Sequence, residues 1–124
     1  MHRFILFQLL LTAVVLSSCS VQQVDPTADI PTLSFQQDIS PIISANCALS
    51  GCHDGNGQEH ALLSYEDVLS YGEVTPSKPH DSKIYEVIRL YSGEEAMPPA
   101  PNQALSDQQI GAIYVWILQG AHDN

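Results

Sequence analysis

Cys47-Ala48-Leu49-Ser50-Gly51-Cys52-His53 carries two thiols and an imidazole in one short run. A cysteine pair with histidine directly after the second cysteine is the attachment pattern of a c-type haem. Each thiol forms a thioether to a haem vinyl group, and the adjacent imidazole reaches the iron as proximal ligand. The usual spacing leaves two residues between the cysteines; here there are four. On an α-helix, residues five apart differ by about 140° around the axis, against about 60° for residues three apart. Cys47 and Cys52 therefore share no face of an unbroken helix, and Ser50-Gly51 must bulge. Glycine at position 51 permits the unusual dihedrals this needs. Other readings of the pair stay open: a disulfide in an exported protein, a zinc site lacking a second Cys or His pair, or a redox pair without the βαβ setting such pairs occupy.

Met97 is the second chemically suggestive residue. It opens Met97-Pro98-Pro99-Ala100-Pro101. Pro98 drives Met97 out of the α region, and each proline fixes its own φ. A stiff loop lowers the entropic cost of presenting a weakly binding thioether, so Met97 is the candidate distal iron ligand. The other methionine is Met1, at the extreme N-terminus. His80, in a proline-flanked loop, is the alternative sixth ligand. His60 follows His53 too closely to reach across a ring, and His122 sits near the terminus. Arg89, Lys83 and Lys78 are candidates to face haem propionates. The tyrosines and Trp116 read as core or haem-packing groups.

Several elements must position these groups. Residues 1–18 read as a signal peptide, with Arg3 before an apolar run too short to span a bilayer. Leu16-Ser17-Ser18-Cys19 resembles a bacterial lipobox, which implies cleavage before Cys19 and lipidation of its thiol. Residues 19–33 form the lipidated cysteine and a flexible tether, polar and interrupted by Pro26 and Pro31. Fully extended, residues 20–33 reach about 49 Å. Residues 34–124 form the folded domain.

Ser34 and Gln37 fit an S-x-x-Q capping box. Phe35, Ile39, Ile42 and Ile43 lie on one helical face, and Pro41 predicts a kink or a helix start there. Asp54 to Glu59 is a loop without the carboxylate pattern of a calcium hand. Ser64 caps a helix ending at Gly72, with Asp67 at its third position and Leu63 placed to staple Val68. Ser82 is read as the cap of a helix carrying Ile84, Val87, Ile88 and Tyr91, stopped by Gly93. Ser106 and Gln109 form another capping box, Leu105 is placed to staple Ile110, and Ile110, Ile113, Tyr114, Ile117, Leu118 and Ala121 continue the clearest amphipathic helix. No strand-like alternation is sustained. The fold class is all-α, with about four helices.

Four basic side chains face 14 acidic ones, for a net charge of −10. Without Arg3 the processed chain carries −11. Nucleic acid needs a basic footprint and is excluded as a partner class; redox donor and acceptor proteins with basic docking surfaces suit this charge. The chain reads as a monomer.

Taken together, the domain resembles small class I-like monohaem cytochromes c of bacteria. The resemblance rests on Phe35, Ile39, Pro41 and Ile42 ahead of Cys47 and Cys52-His53. It continues through Leu63-Ser64-Tyr65, Ser82-Lys83-Ile84-Tyr85, Met97-Pro98-Pro99, Leu105-Ser106, Trp116-Ile117 and Gly120-Ala121. It implies an all-α cytochrome c-like fold with first and last helices crossing, and one covalent haem c on Cys47 and Cys52. It also implies His53 and Met97 as axial ligands, and single-electron transfer rather than enzymatic turnover. The expected location is the periplasmic side of a membrane, held through the lipid on Cys19. A haem enzyme or sensor with an open distal site, and a non-haem disulfide-bonded binding lipoprotein, are the alternatives. The chain departs from the family in its C-x4-C-H spacing. It also lacks the proline about a dozen residues past His53 whose carbonyl would hold the proximal imidazole, so that acceptor is unassigned.

Overall fold

Pro41 sets the start of the first α-helix. Proline has no N–H to give and is tolerated only in a first turn. In the computed structural model, which describes residues 29–124, α1 spans Ser40–Asn46 with Pro41 in its first turn. The signal segment, Cys19 and the tether up to residue 28 lie outside the described residues. Just ahead of α1, Phe35–Ile39 wind as one wide π-type turn. Ser34 Oγ accepts the Gln37 N–H at 3.2 Å, as the S-x-x-Q pattern predicts. The return bond differs: Ser34 N–H donates to Asp38 Oδ2 at 2.7 Å. The wider turn has carried the next residue, not Gln37, into reach of the cap.

The second helix, α2, spans Tyr65–Tyr71 and has both halves of its capping box, Ser64 with Asp67. Leu63, expected to staple Val68, is 63% exposed, whereas Val68 is buried. A short 3-10 turn, Pro79–Asp81, precedes α3, Lys83–Ile88. Ser82 stands before α3 but makes no side-chain cap bond. It is 1% exposed, and its Oγ instead accepts the Thr75 N–H at 2.9 Å and donates to the Lys78 carbonyl at 2.9 Å. A buried hydroxyl takes whichever backbone partners the fold brings, and here they belong to the connection before the helix. Tyr91 was expected on the same helix. It lies beyond α3, 69% exposed, donating to Asp107 Oδ1 at 2.8 Å. The last helix, α4, spans Asp107–Leu118 with the Ser106–Gln109 box complete and Leu105 buried; Ala121, expected on its face, lies beyond its end at φ +51°, after the chain turns at Gly120.

The described residues are helical, with no strand. Their core forms where the Phe35–Ile39 turn packs on α4. Phe35 meets Tyr65 edge-on at 5.2 Å and tilts against Trp116 at 5.5 Å. The polar ends of these aromatics are satisfied: Tyr65 Oη donates to the Ala121 carbonyl at 2.8 Å, and Trp116 Nε1 to that of His122 at 3.0 Å. The two ends of the domain are also joined directly. Phe35 N–H donates to Asn124 Oδ1 at 3.0 Å and Leu33 N–H to Gln119 Oε1 at 2.9 Å. No helix among the described residues is long and apolar enough to cross a membrane.

Candidate functional site

Where α1 ends at Asn46, Cys47 becomes its C-cap and donates its N–H to the Ile43 carbonyl at 2.8 Å. The chain then leaves the helix. Gly51 adopts φ +78°, so the bulge demanded by the four-residue gap falls on the residue able to make it. Cys52 N–H returns to the Leu49 carbonyl at 2.9 Å, and His53 N–H to that of Cys47 at 3.3 Å. These bonds fold the two cysteines and the histidine onto one cavity of about 360 Å³. Both cysteines are free thiols. Burial, with the neighbouring Cys52 adding to it, pushes the Cys47 thiol from 9.0 up to about 11. Burial thus favours the neutral SH form of Cys47 over the thiolate.

The His53 ring is oriented by the loop that follows it. Its Nδ1 lies 2.7 Å from the His60 carbonyl oxygen. A carbonyl only accepts, so Nδ1 carries the proton and Nε2 keeps a free lone pair. The acceptor for the His53 ring that the sequence leaves unassigned is thus the backbone carbonyl of His60. No side-chain signal foretells that, because any residue type supplies a carbonyl. The loop closes with Leu62 N–H donating to the His53 carbonyl at 2.9 Å. At Gly57 it passes so near the motif that a Cβ would stand 2.8 Å from the Cys52 carbonyl oxygen.

Met97 lines the same cavity, with Pro98 and Pro99 beside it. Its N–H donates to the Val87 carbonyl at 3.1 Å, which ties the proline loop to α3. Ile84, Val87 and Ile88 of α3 and Leu62 supply apolar lining. Of the three candidate cations only Lys83 belongs to this lining. Its ammonium pairs with Glu86 at 3.3 Å and Glu95 at 3.5 Å, and the Glu86 hydrogen bond, ahead of the charges, holds its pKa above the ordinary lysine value.

His80 goes elsewhere. Its ring stands edge-on to Tyr85 at 5.4 Å and Tyr114 at 5.6 Å, and it does not line the cavity. His60 contributes its carbonyl, while its ring stacks flat on Tyr71 at 4.1 Å. Among the described residues no three His, Cys, Asp or Glu side chains form a group able to hold a metal ion, so a bare zinc ion has no shell of such ligands there. A metal already ringed by a macrocycle needs only two further donors, and the cavity offers an imidazole and a thioether.

No protein-family model, curated protein or solved structure matches the chain. The functional reading therefore rests on the residues and the cavity they share.

Proposed function

We propose that the chain is a single-electron carrier of the cytochrome c type, its helices wrapped around one haem c. The observation that carries this reading is the common cavity of Cys47, Cys52, His53 and Met97. Cys47, Cys52 and His53 belong to one short run, and Met97 comes from a loop 44 residues further along the chain. The donor set and apolar walls fit the group: two free thiols lining one cavity, an imidazole with Nδ1 anchored, a thioether on a proline-rich loop, and aliphatic lining.

In this reading Cys47 and Cys52 supply the thioether sulfurs, His53 the proximal nitrogen and Met97 the distal sulfur. The bound haem supplies an iron that gains and loses one electron, at a potential raised by His/Met ligation. Everything else belongs to the chain. The His60 carbonyl fixes the His53 tautomer and lends its ring basicity. The Met97–Val87 backbone bond and the prolines would hold the thioether in place. Leu62, Ile84, Val87 and Ile88 exclude water. If His53 and Met97 both ligated the iron, no coordination position would be left for substrate, which is the ground for preferring a carrier to an enzyme or sensor. Lipid on Cys19 would hold this acidic domain at the periplasmic face of a membrane, where it would meet basic partner surfaces.

The test is the spectrum of the full chain produced with a haem-maturation system, followed by acid–acetone extraction. A six-coordinate low-spin spectrum, with haem retained by the denatured protein, is expected. Haem released into the extract would overturn covalent attachment. A high-spin, gas-binding spectrum would favour the open-site enzyme or sensor. Absence of a Soret band would leave a non-haem binding lipoprotein. For the anchor, Cys19→Ala should move the protein to the soluble fraction with its spectrum intact; unchanged membrane retention would refute lipidation.

A further inference from the structure

We infer that the His60–Tyr71 stack is a positioning device that holds the proximal imidazole. The restraint acts on the loop that follows His53. It is rich in glycine, with Gly55 and Gly57 between Asp54 and Gln58. Such a segment has much conformational entropy to lose. Yet it must hold one carbonyl, that of His60, 2.7 Å from His53 Nδ1. That bond is the polar contact that sets the tautomer of His53, so a loop free to drift would release the ring.

The two rings supply the restraint. His60 and Tyr71 lie 4.1 Å apart and only 3° from parallel. Tyr71 is the last residue of α2, whose opposite end is locked by the Ser64–Asp67 box. It is also part of the cavity lining. The stack thus ties the carbonyl-bearing residue to a rigid element that already faces the site. Tyr71 is 50% exposed and His60 is exposed too, so neither ring is there to fill the core. Burial does not explain their alignment; fixing the loop does. His60 therefore acts through its ring on its own carbonyl, and through that carbonyl on His53.

The redox consequence rests on the haem reading, but the positioning does not, and the experiment separates them. Solvent exchange of the His53 Nδ1 proton is measured by nitrogen-15 NMR on the full chain, in whatever haem state it is purified. Haem content is scored independently by absorbance. His60→Ala should speed exchange about two- to tenfold, the range one aromatic pair supports. His60→Phe should restore the wild-type rate, because a phenyl ring stacks on Tyr71 equally well. Tyr71→Ala should match His60→Ala, and the double variant should be no faster than either single one, as for two halves of one contact. In haem-loaded protein His60→Ala should also raise the reduction potential, since a looser carbonyl bond withdraws basicity from the imidazole; His60→Phe should not. An unchanged exchange rate in His60→Ala overturns the inference. So does exchange in His60→Phe as fast as in His60→Ala, or additive effects in the double variant. Loss of haem with the exchange pattern intact would sink the carrier function and leave the positioning role standing.

Discussion

On the proposed function, Met97 and His80 are the two side chains whose placement would separate His/Met from bis-His ligation. Met97 lines the cavity shared with His53, while His80 packs against Tyr85 and Tyr114. On the proposed function, Met97→Ala should open a coordination position and let the reduced iron bind carbon monoxide. Met97→His should keep six-coordination and lower the potential, because imidazole stabilises oxidised iron better than a thioether does. His80→Ala should leave the spectrum and carbon monoxide binding as in wild type. The reverse pattern, a silent Met97 and an opened site in the His80 variant, would replace His/Met with bis-His ligation. Difference spectra with carbon monoxide decide between them.

At the scale of elements, α2 is the helix that presents Tyr71, and its start depends on two side chains. Ser64→Ala should cost about 1 kcal/mol, the usual loss for a removed N-cap. Asp67 makes the other half of the box. Backbone N–H donation from Leu63, followed by bonding to Ser64, holds its carboxyl below the ordinary 3.8. A carboxylate with a lower pKa in the folded than in the unfolded state stabilises the fold above the unfolded value. That contribution is lost as pH falls through the folded value. Asp67→Asn should therefore lower Tm at neutral pH, and the gap from wild type should close progressively below about pH 3.8. A gap that persists unchanged in acid would show that the ionised carboxylate is not what the cap uses. Thermal melts by circular dichroism across that pH range give the answer.

The whole molecule depends on the joining of its two ends and on its charge. Trp116 is 1% exposed and touches both Phe35 and Tyr65. Trp116→Ala should cost about 3–5 kcal/mol, a large share of the stability of a domain this size. Tyr65→Phe, which removes only the bond to the Ala121 carbonyl, should cost about 1 kcal/mol. Denaturant unfolding that ranks the two the other way would contradict the packing described here. The charge makes a separate prediction. On the proposed function, with a net charge of −10 on the sequence, reduction by a basic donor protein should slow as ionic strength rises, because screening shortens electrostatic steering. A salt-independent bimolecular rate would argue against electrostatic docking.

Local signals in the sequence were enough to specify much of the secondary structure. The Ser64–Asp67 and Ser106–Gln109 boxes start α2 and α4 where their spacing predicts, and Pro41 starts α1. Gly51 bends the chain between the cysteines, as a five-residue offset requires. Each of these depends on atoms within about one helical turn, so the chain writes them locally. Ser82 and Tyr91 escaped that logic. Serine before a helix is an ambiguous signal, and burial gave its hydroxyl to Thr75 and Lys78 instead. Tyr91 kept the helical offset of its neighbours although α3 had already ended at Ile88. What only the tertiary structure decided is which distant residues meet. It brought Met97 onto the cavity of Cys47, Cys52 and His53, and it turned His80 toward two tyrosines. It also chose the His60 carbonyl as the acceptor for His53. Those choices come from packing across the whole domain and from a backbone group that every residue carries, and neither leaves a mark in residue type or spacing.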